Sequence, residues 1–282
     1  MLRWVSAIIL FAGFCCVSPV AAQVLPAPVL NIPQAAPNGG FNFGFSTGFD
    51  YISGKYGAKC ALGNLSLTCT SSGTTAFDIP ATAMVQIDRL RLDVTVPYVD
   101  IEGPGRFAGV LGIPIIVAPA NNDVKHRSGL GDITVDAAWV LSRDDAIFPQ
   151  VEIASVVKLP TAGDNLGTGK TDYGAQVNLY HTLLPGLSAF GSLGYLWVGE
   201  LNTVRLHSGL RATTGADFKF AGIGAGGLLD YRQSAWQGAP DYFAFTPYLT
   251  WRLLGGVGVS VYGVFGLTRS SPSQGAGVRL AI

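Results

Sequence analysis

Seven basic residues (Arg89, Arg91, Lys158, Lys219, Arg232, Arg252 and Arg279) and seven acidic ones (Asp78, Asp93, Asp132, Asp136, Glu152, Asp217 and Asp230) stand on the polar side of stretches whose intervening residues are apolar. Balanced charges in a confined space can pair and fill it, or line a passage that favours neither sign of ion. The densest group is Arg91, Asp132, Asp136, Glu152 and Lys158, which the alternation puts on three neighbouring strands. These five are the candidate constriction of a lumen. Catalytic constellations have less support. Of the three histidines, His126 and His207 fall in expected loops, and His181 has no serine two residues on, so a membrane lipid hydrolase lacks its parts. Gly167-Thr-Gly-Lys170 does not have the spacing of a phosphate-binding loop. No cluster of metal ligands is visible, no cofactor is implied, and an enzyme is not expected. Cys60 and Cys69 lie in a polar segment rich in Gly, Ser and Thr, without a Cys-x-x-Cys spacing or a nearby histidine. In an exported chain that pattern reads as a disulfide pinning a loop.

The elements that must position the charges are two-faced strands. From Asp132 the chain alternates strictly: Asp132, Thr134, Asp136 and Ala138 on one side, Ile133, Val135, Ala137, Trp139 and Leu141 on the other. After a polar break at Arg143-Asp-Asp145 a second run sets Gln150, Glu152, Ala154 and Lys158 against Val151, Ile153, Val157 and Leu159. Period-two alternation is the mark of a strand. In a soluble sandwich the apolar face would turn to a core and the charges to water. Charges in the middle of strands about ten residues long fit instead a barrel with lipid outside and a wet interior.

The start of the chain agrees. Residues 1–22 have Arg3, an apolar run from Val5 to Val17 and the ending Val20-Ala-Ala22, the layout of a secretory signal peptide. Phe14 and Cys15 are too bulky to precede a lipidated cysteine, which weighs against a lipoprotein. Later residues hold no uninterrupted apolar run of helix-spanning length, about 18 residues. An exported chain with 49% hydrophobic residues and mean hydropathy +0.37 then has a closed barrel as its way to live in a bilayer. A net charge of zero gives no footprint for nucleic acid. Residues 23–40 hold four prolines and read as a periplasmic lead-in, with a partial plug in the barrel mouth as the alternative.

Alternation and turn chemistry give twelve strands, at about 41–52, 76–87, 89–101, 132–141, 150–159, 172–183, 187–199, 209–220, up to 233, 242–253, 257–268 and 275–282. The expected architecture is therefore all-β: a transmembrane up-and-down antiparallel β-barrel over residues 41–282. Connections after even-numbered strands are tight. Those after strands 1, 3, 5 and 7 are long, and the one after strand 9 is moderate. Short periplasmic turns and longer outer loops have this asymmetry, which puts both termini on the periplasmic side. Residues 102–128 read as one long outer loop whose apolar segment, Leu111–Pro119, either enters the mouth or packs on other loops. Tyr98, Trp139, Tyr195, Trp197, Tyr231 and Trp251 point outward near strand ends, where interfacial belts lie. The chain ends in Ile282, not in the aromatic residue usual for barrels inserted by the outer-membrane assembly machinery, a partner this reading implies.

Arg127-Ser-Gly-Leu-Gly-Asp132, Lys158-Leu-Pro-Thr161, Gly167-Thr-Gly169 and Asp172, with Asp88-Arg-Leu-Arg91 and Val96-Pro-Tyr98, give a resemblance over residues 41–282. The chain resembles the outer-membrane β-barrel proteins named for the meta pathway of phenol degradation, regarded as transporters. The resemblance implies a pore for small, often aromatic, solutes. The expectation is a passive channel in the bacterial outer membrane, with the lipid bilayer and a small-molecule solute as its partners. The alternative is a closed, salt-bridged barrel with a structural or adhesive role through its outer loops.

Overall fold

A computed structural model describes residues 40–54, 59–62, 65–68, 73–104, 106–110, 113–117, 124–145, 147–163, 166–199, 206–235, 240–253 and 256–282, with backbone only between 55 and 72 and between 104 and 125. The expected signal peptide and all but the last residue of the Pro-rich segment 23–40 lie outside these residues.

Twelve antiparallel strands close into one barrel. They are β1 (Phe41–Gly54), β2 (Thr74–Ile87), β3 (Leu90–Pro104), β4 (Thr134–Ser142), β5 (Gln150–Lys158), β6 (Asp172–Leu184), β7 (Leu187–Trp197), β8 (Gly209–Phe220), β9 (Ile223–Arg232), β10 (Tyr242–Arg252), β11 (Gly258–Gly266) and β12 (Gln274–Ala281). Each pairs with its sequence neighbours, and β1 pairs with β12 as well as with β2, so no edge is left. The seam runs from Ser46 opposite Ala281 to Ser53 opposite Gln274. Ile282 extends it, exchanging backbone hydrogen bonds with Phe45 at 2.9 and 3.1 Å.

The wall has the two faces that the alternation demanded. Phe41, Phe43, Phe45 and Phe49 of β1, Leu92 and Val94 of β3, Trp139 and Leu141 of β4, and Leu193 of β7 are exposed on the outside. Their neighbours in sequence point inward and are mostly buried. Tyr98, Tyr195 and Trp197 are exposed toward the outer end, and Trp139 in the periplasmic half of β4. These aromatic residues stand where belts were expected.

Two-residue turns at Asp88-Arg89, Pro185-Gly186 and Ala221-Gly222 join strands on the periplasmic side. Asp88 and Ala221 adopt positive φ there, 50° and 49°, the left-handed geometry of a tight hairpin. The turn after β4 is organised by Asp145, whose carboxylate accepts the N–H groups of Ile147 and Phe148 at 2.8 and 2.7 Å.

On the outer side the strands outrun the expectation. Residues 102–128 are not a structureless loop. β3 continues to Pro104 and pairs with Val124–Leu130, and Arg106–Val110 pairs with Ile113–Val117. The chain after β1 likewise pairs Lys59–Leu62 with Leu65–Thr68. Past the lipid both faces of a ladder meet water, so hydrogen bonding goes on where the alternation that marks it in sequence has stopped. The apolar segment Leu111–Pro119 supplies the second strand of the outer hairpin, and its side chains lie outside those described.

Candidate functional site: the barrel lumen

All five residues of the expected constriction lie on the inner face, but they form two groups. Glu152 and Lys158 share β5 and are six residues apart, roughly 20 Å along the strand. The periplasmic half holds the first group. Arg91 on β3 reaches over β4 to Glu152 at 3.1 Å and pairs with Asp93, also at 3.1 Å. The small, buried side chain of Ala138, opposite Arg91 in the ladder, leaves room for this crossing. Asn178 on β6 donates to Glu152 at 2.7 Å and accepts from Gln176 at 2.7 Å. Asp136 lies opposite Asp93 on the neighbouring strand, within the field of Arg91.

The second group sits at the outer end. The Lys158 ammonium donates to Asp132 at 3.0 Å, to Thr168 at 2.8 Å, and meets Asp172 at 2.9 Å. The ammonium is thus hydrogen-bonded to two oxygens and ion-paired with a third. The carboxylates also take backbone donors: Ala162 N–H donates to Asp132 and Gly199 N–H to Asp172. Asp132, Lys158, Thr168 and Asp172 come from the segments that carry the family resemblance. Thr161 adds bonds to Ile133 N–H and the Gly131 carbonyl. The phrases around Asp132, Lys158, Gly167 and Asp172 are thus one cluster in space, whereas Asp88-Arg-Leu-Arg91 lies at the other end of the barrel.

Three expected inward charges stand elsewhere. Arg89 belongs to the β2–β3 turn, exposed, and donates to the Leu141 carbonyl at 3.3 Å. Arg252 is exposed at the end of β10, and Lys219 reaches the rim 3.6 Å from Asp217. In a hairpin turn or two to three residues from one, a long cation finds water more readily than a partner. Conversely, sequence reasoning missed Asp50, which pairs with Arg279 across the seam, and the role of Asp172. Asp50 lies among phenylalanines and glycines, so its stretch read as wall. Counting Phe41 to Phe49 as outward would have turned Asp50 inward. A further cluster joins Arg232 to Asp230 at 2.7 Å and sets its guanidinium 5.0 Å from the Tyr242 ring centroid.

A feature not read from the sequence is the aromatic part of the inner wall. Tyr180, Phe190, Leu228, Tyr242, Ala244, Tyr248, Tyr262 and Val264 form one buried cluster. Inward glycines let the rings lie down. A Cβ at Gly226 would be 2.4 Å from the Tyr248 ring, one at Gly277 2.2 Å from that of Tyr262, and one at Gly215 2.4 Å from that of Phe190. The stripe runs from Tyr242, at the outer end of β10, to Phe190, near the periplasmic turn. The polar networks of β3 to β6 occupy another sector of the lumen.

Outside the membrane-spanning segments, His181 Nδ1 and Asp144 Oδ1 are 2.8 Å apart on the periplasmic side. Burial raises the Asp144 carboxyl, but hydrogen bonds from Thr182 and His181 outweigh it and hold it below the usual carboxylate range. Of the expected disulfide, Cys60 lies in the strand Lys59–Leu62 without a described side chain, and Cys69 lies outside the described residues.

A closed ring of twelve antiparallel strands, greasy outside and charged within, defines a membrane-spanning β-barrel of the outer-membrane type. The chain belongs to the family described as "Putative MetA-pathway of phenol degradation", whose model matches residues 88–282. No curated protein matches the sequence at a significant level. Among solved structures it is similar to the COG4313 outer membrane channel from Pseudomonas putida F1, with 12% identity, 88% of this chain and 98% of that chain covered, and a TM-score of 0.60. It is more distantly similar to the Ralstonia pickettii toluene transporter TbuX, at 10% identity, 87% and 88% coverage and a TM-score of 0.40. The Pseudomonas putida toluene transporter TodX gives 9%, 87%, 89% and 0.41. The first of these likenesses shows the same fold.

Proposed function

We propose that this protein is a passive channel of the bacterial outer membrane for small, apolar or aromatic solutes. The observation that carries the reading is the aromatic stripe from Tyr242 to Phe190, continuous from the outer to the periplasmic end of the lumen. Rings and aliphatic groups offer a solute dispersion and edge-to-face contacts, while ion pairs beside the stripe and in the β3 to β6 sector keep the interior polar enough to hold water. The fold shared with the P. putida F1 outer membrane channel supports the same conclusion. Arg91, Glu152 and Asp136 form the inner narrowing, and Lys158 with Asp132 the outer one. The chain is made with a signal peptide at residues 1–22, is inserted by the outer-membrane assembly machinery, and carries a Cys60–Cys69 disulfide. A peptide mass two hydrogens lighter before reduction than after tests that bond.

The second reading, a closed barrel with a structural role, is favoured by how fully the side chains fill the lumen: Glu152, Asn178 and Leu228 are exposed by 1%, 0% and 1%. Liposome swelling with monoaromatic acids, phenols and sugars separates the two. Faster entry of aromatic solutes than of sugars of similar size supports the channel. No entry of any solute into liposomes holding folded protein refutes it.

A further inference from the structure

In its described parts, the connection between β5 and β6 leans over the inner side of the wall at the outer ends of β4, β3 and β2. Its described parts, 159–163 and 166–171, are stitched to the wall near the break between Leu130 and Thr134. Thr161 accepts from Ile133 N–H at 2.8 Å, Ala162 N–H donates to Asp132 at 3.0 Å, and Gly163 N–H donates to the Leu130 carbonyl at 3.3 Å. Thr168 accepts from Lys158 at 2.8 Å. Gly167 passes so close to Asp132 and Ala162 that a Cβ would stand 2.7 Å from the carboxylate and 2.8 Å from the alanine methyl, so a larger residue there would push both aside.

What that turn delivers is Leu166. It is 7% exposed and packs against Ala76 and Ile101, with Ile52 and Val99 beside them. Those residues belong to β1, β2 and β3, whereas the segment springs from β5 and β6. From β5 to β2 is three neighbouring strand spacings of about 4.8 Å each, so Leu166 lies along the inner wall, covering the outer ends of β2 and β3. Two apolar side chains, Leu166 in a small pocket and the small Ala162 beside it, and a few hydrogen bonds hold the segment, which can open locally while the barrel stays folded.

We infer that 159–163 and 166–171 form an outer lid, with Leu166 as its seal and the Lys158 contacts to Asp132, Asp172 and Thr168 as its latch. Its use as a gate rests on the channel reading; its existence as a movable cover does not.

The test puts a thiol beneath the seal. In a Cys60→Ser/Cys69→Ser background, Ala76→Cys is a near-isosteric change at a position 6% exposed. A charged methanethiosulfonate added from outside reacts at a rate set by lid opening. Adding Leu166→Ala raises that rate about tenfold or more. Thr168→Val, which removes one acceptor of the latch, raises it in the same direction. Both changes lie in a surface connection, and unchanged heat-modifiable mobility in gels confirms the barrel. Equal labelling rates with and without Leu166→Ala overturn the lid. Single-channel recordings on the same variants keep the two readings apart. Faster labelling with no current in any variant leaves the lid and removes the channel; current with unchanged labelling removes the lid and leaves the channel.

Discussion

Arg279→Met is expected to weaken the barrel at its seam. Arg279 on β12 pairs with Asp50 on β1, 229 residues away in sequence, with side chains only 3% and 8% exposed. Its guanidinium also lies 5.9 Å from the Tyr262 ring centroid. Methionine keeps the aliphatic bulk but leaves the Asp50 carboxylate buried beside Asp78, its partner in the β1–β2 ladder. Stranding one partner of a buried pair costs about 3–5 kcal/mol. The lost cation–π contact adds roughly 0.5–1 kcal/mol. A total of about 4–6 kcal/mol is on the order of a thousandfold or more in the folded-to-unfolded ratio, since each 1.4 kcal/mol is a factor of ten. Urea titration in detergent or lipid, followed by heat-modifiable gel mobility, measures it. The control is Asp50→Asn/Arg279→Met, which removes both charges and recovers most of the loss. Wild-type stability in Arg279→Met, or a double variant no more stable than the single one, would refute the reasoning.

Three shorter expectations accompany it. Gly48→Ala sets a Cβ 2.2 Å from the Val278 carbonyl oxygen across the same seam, and the backbone shift needed costs about 1–3 kcal/mol in the same titration. Asp144→Asn is less stable than wild type at neutral pH. Because the folded carboxyl lies below its unfolded value of about 3.9, the advantage is fully present above that value and fades as pH falls through the folded one. Unfolding curves between pH 7 and 2 that stay parallel to those of the variant would count against it. Tyr248→Ala and Tyr262→Ala take rings off the inner wall, so single-channel conductance rises and the preference for aromatic solutes over sugars falls; both quantities come from bilayer recording and swelling.

Most of the wall was legible because lipid enforces a strict rule. Trp139, Leu141 and Ile153 must face hydrocarbon, so Asp136, Glu152 and Lys158, on the opposite parity, had to face inward. Position along the strand was harder to read. Glu152 and Lys158 share a face, yet six residues of rise separate them, and alternation carries no information about height. Arg89 and Arg252 had the right parity and the wrong height, ending at a turn and a rim. The Lys158 partners come from a connection, where Thr168 and Gly167 follow no period. Tyr248 had the inward parity from its alternation with Phe245 and Leu249, but Tyr180 and Tyr262 escaped, and so did the stripe as a whole, because the glycines that accommodate the rings lie on neighbouring strands.

The ladder between β3 and Val124–Leu130 continues six residues beyond Tyr98, where Tyr98 stands opposite Leu130. At the strand tilt usual in such barrels that is a rise of about 15 Å above the headgroup level. On this side, among the described residues, the wall therefore stands up as a stiff palisade rooted in β3 and β4. A molecule drifting in from the side of β3 meets this parapet before it reaches the lumen.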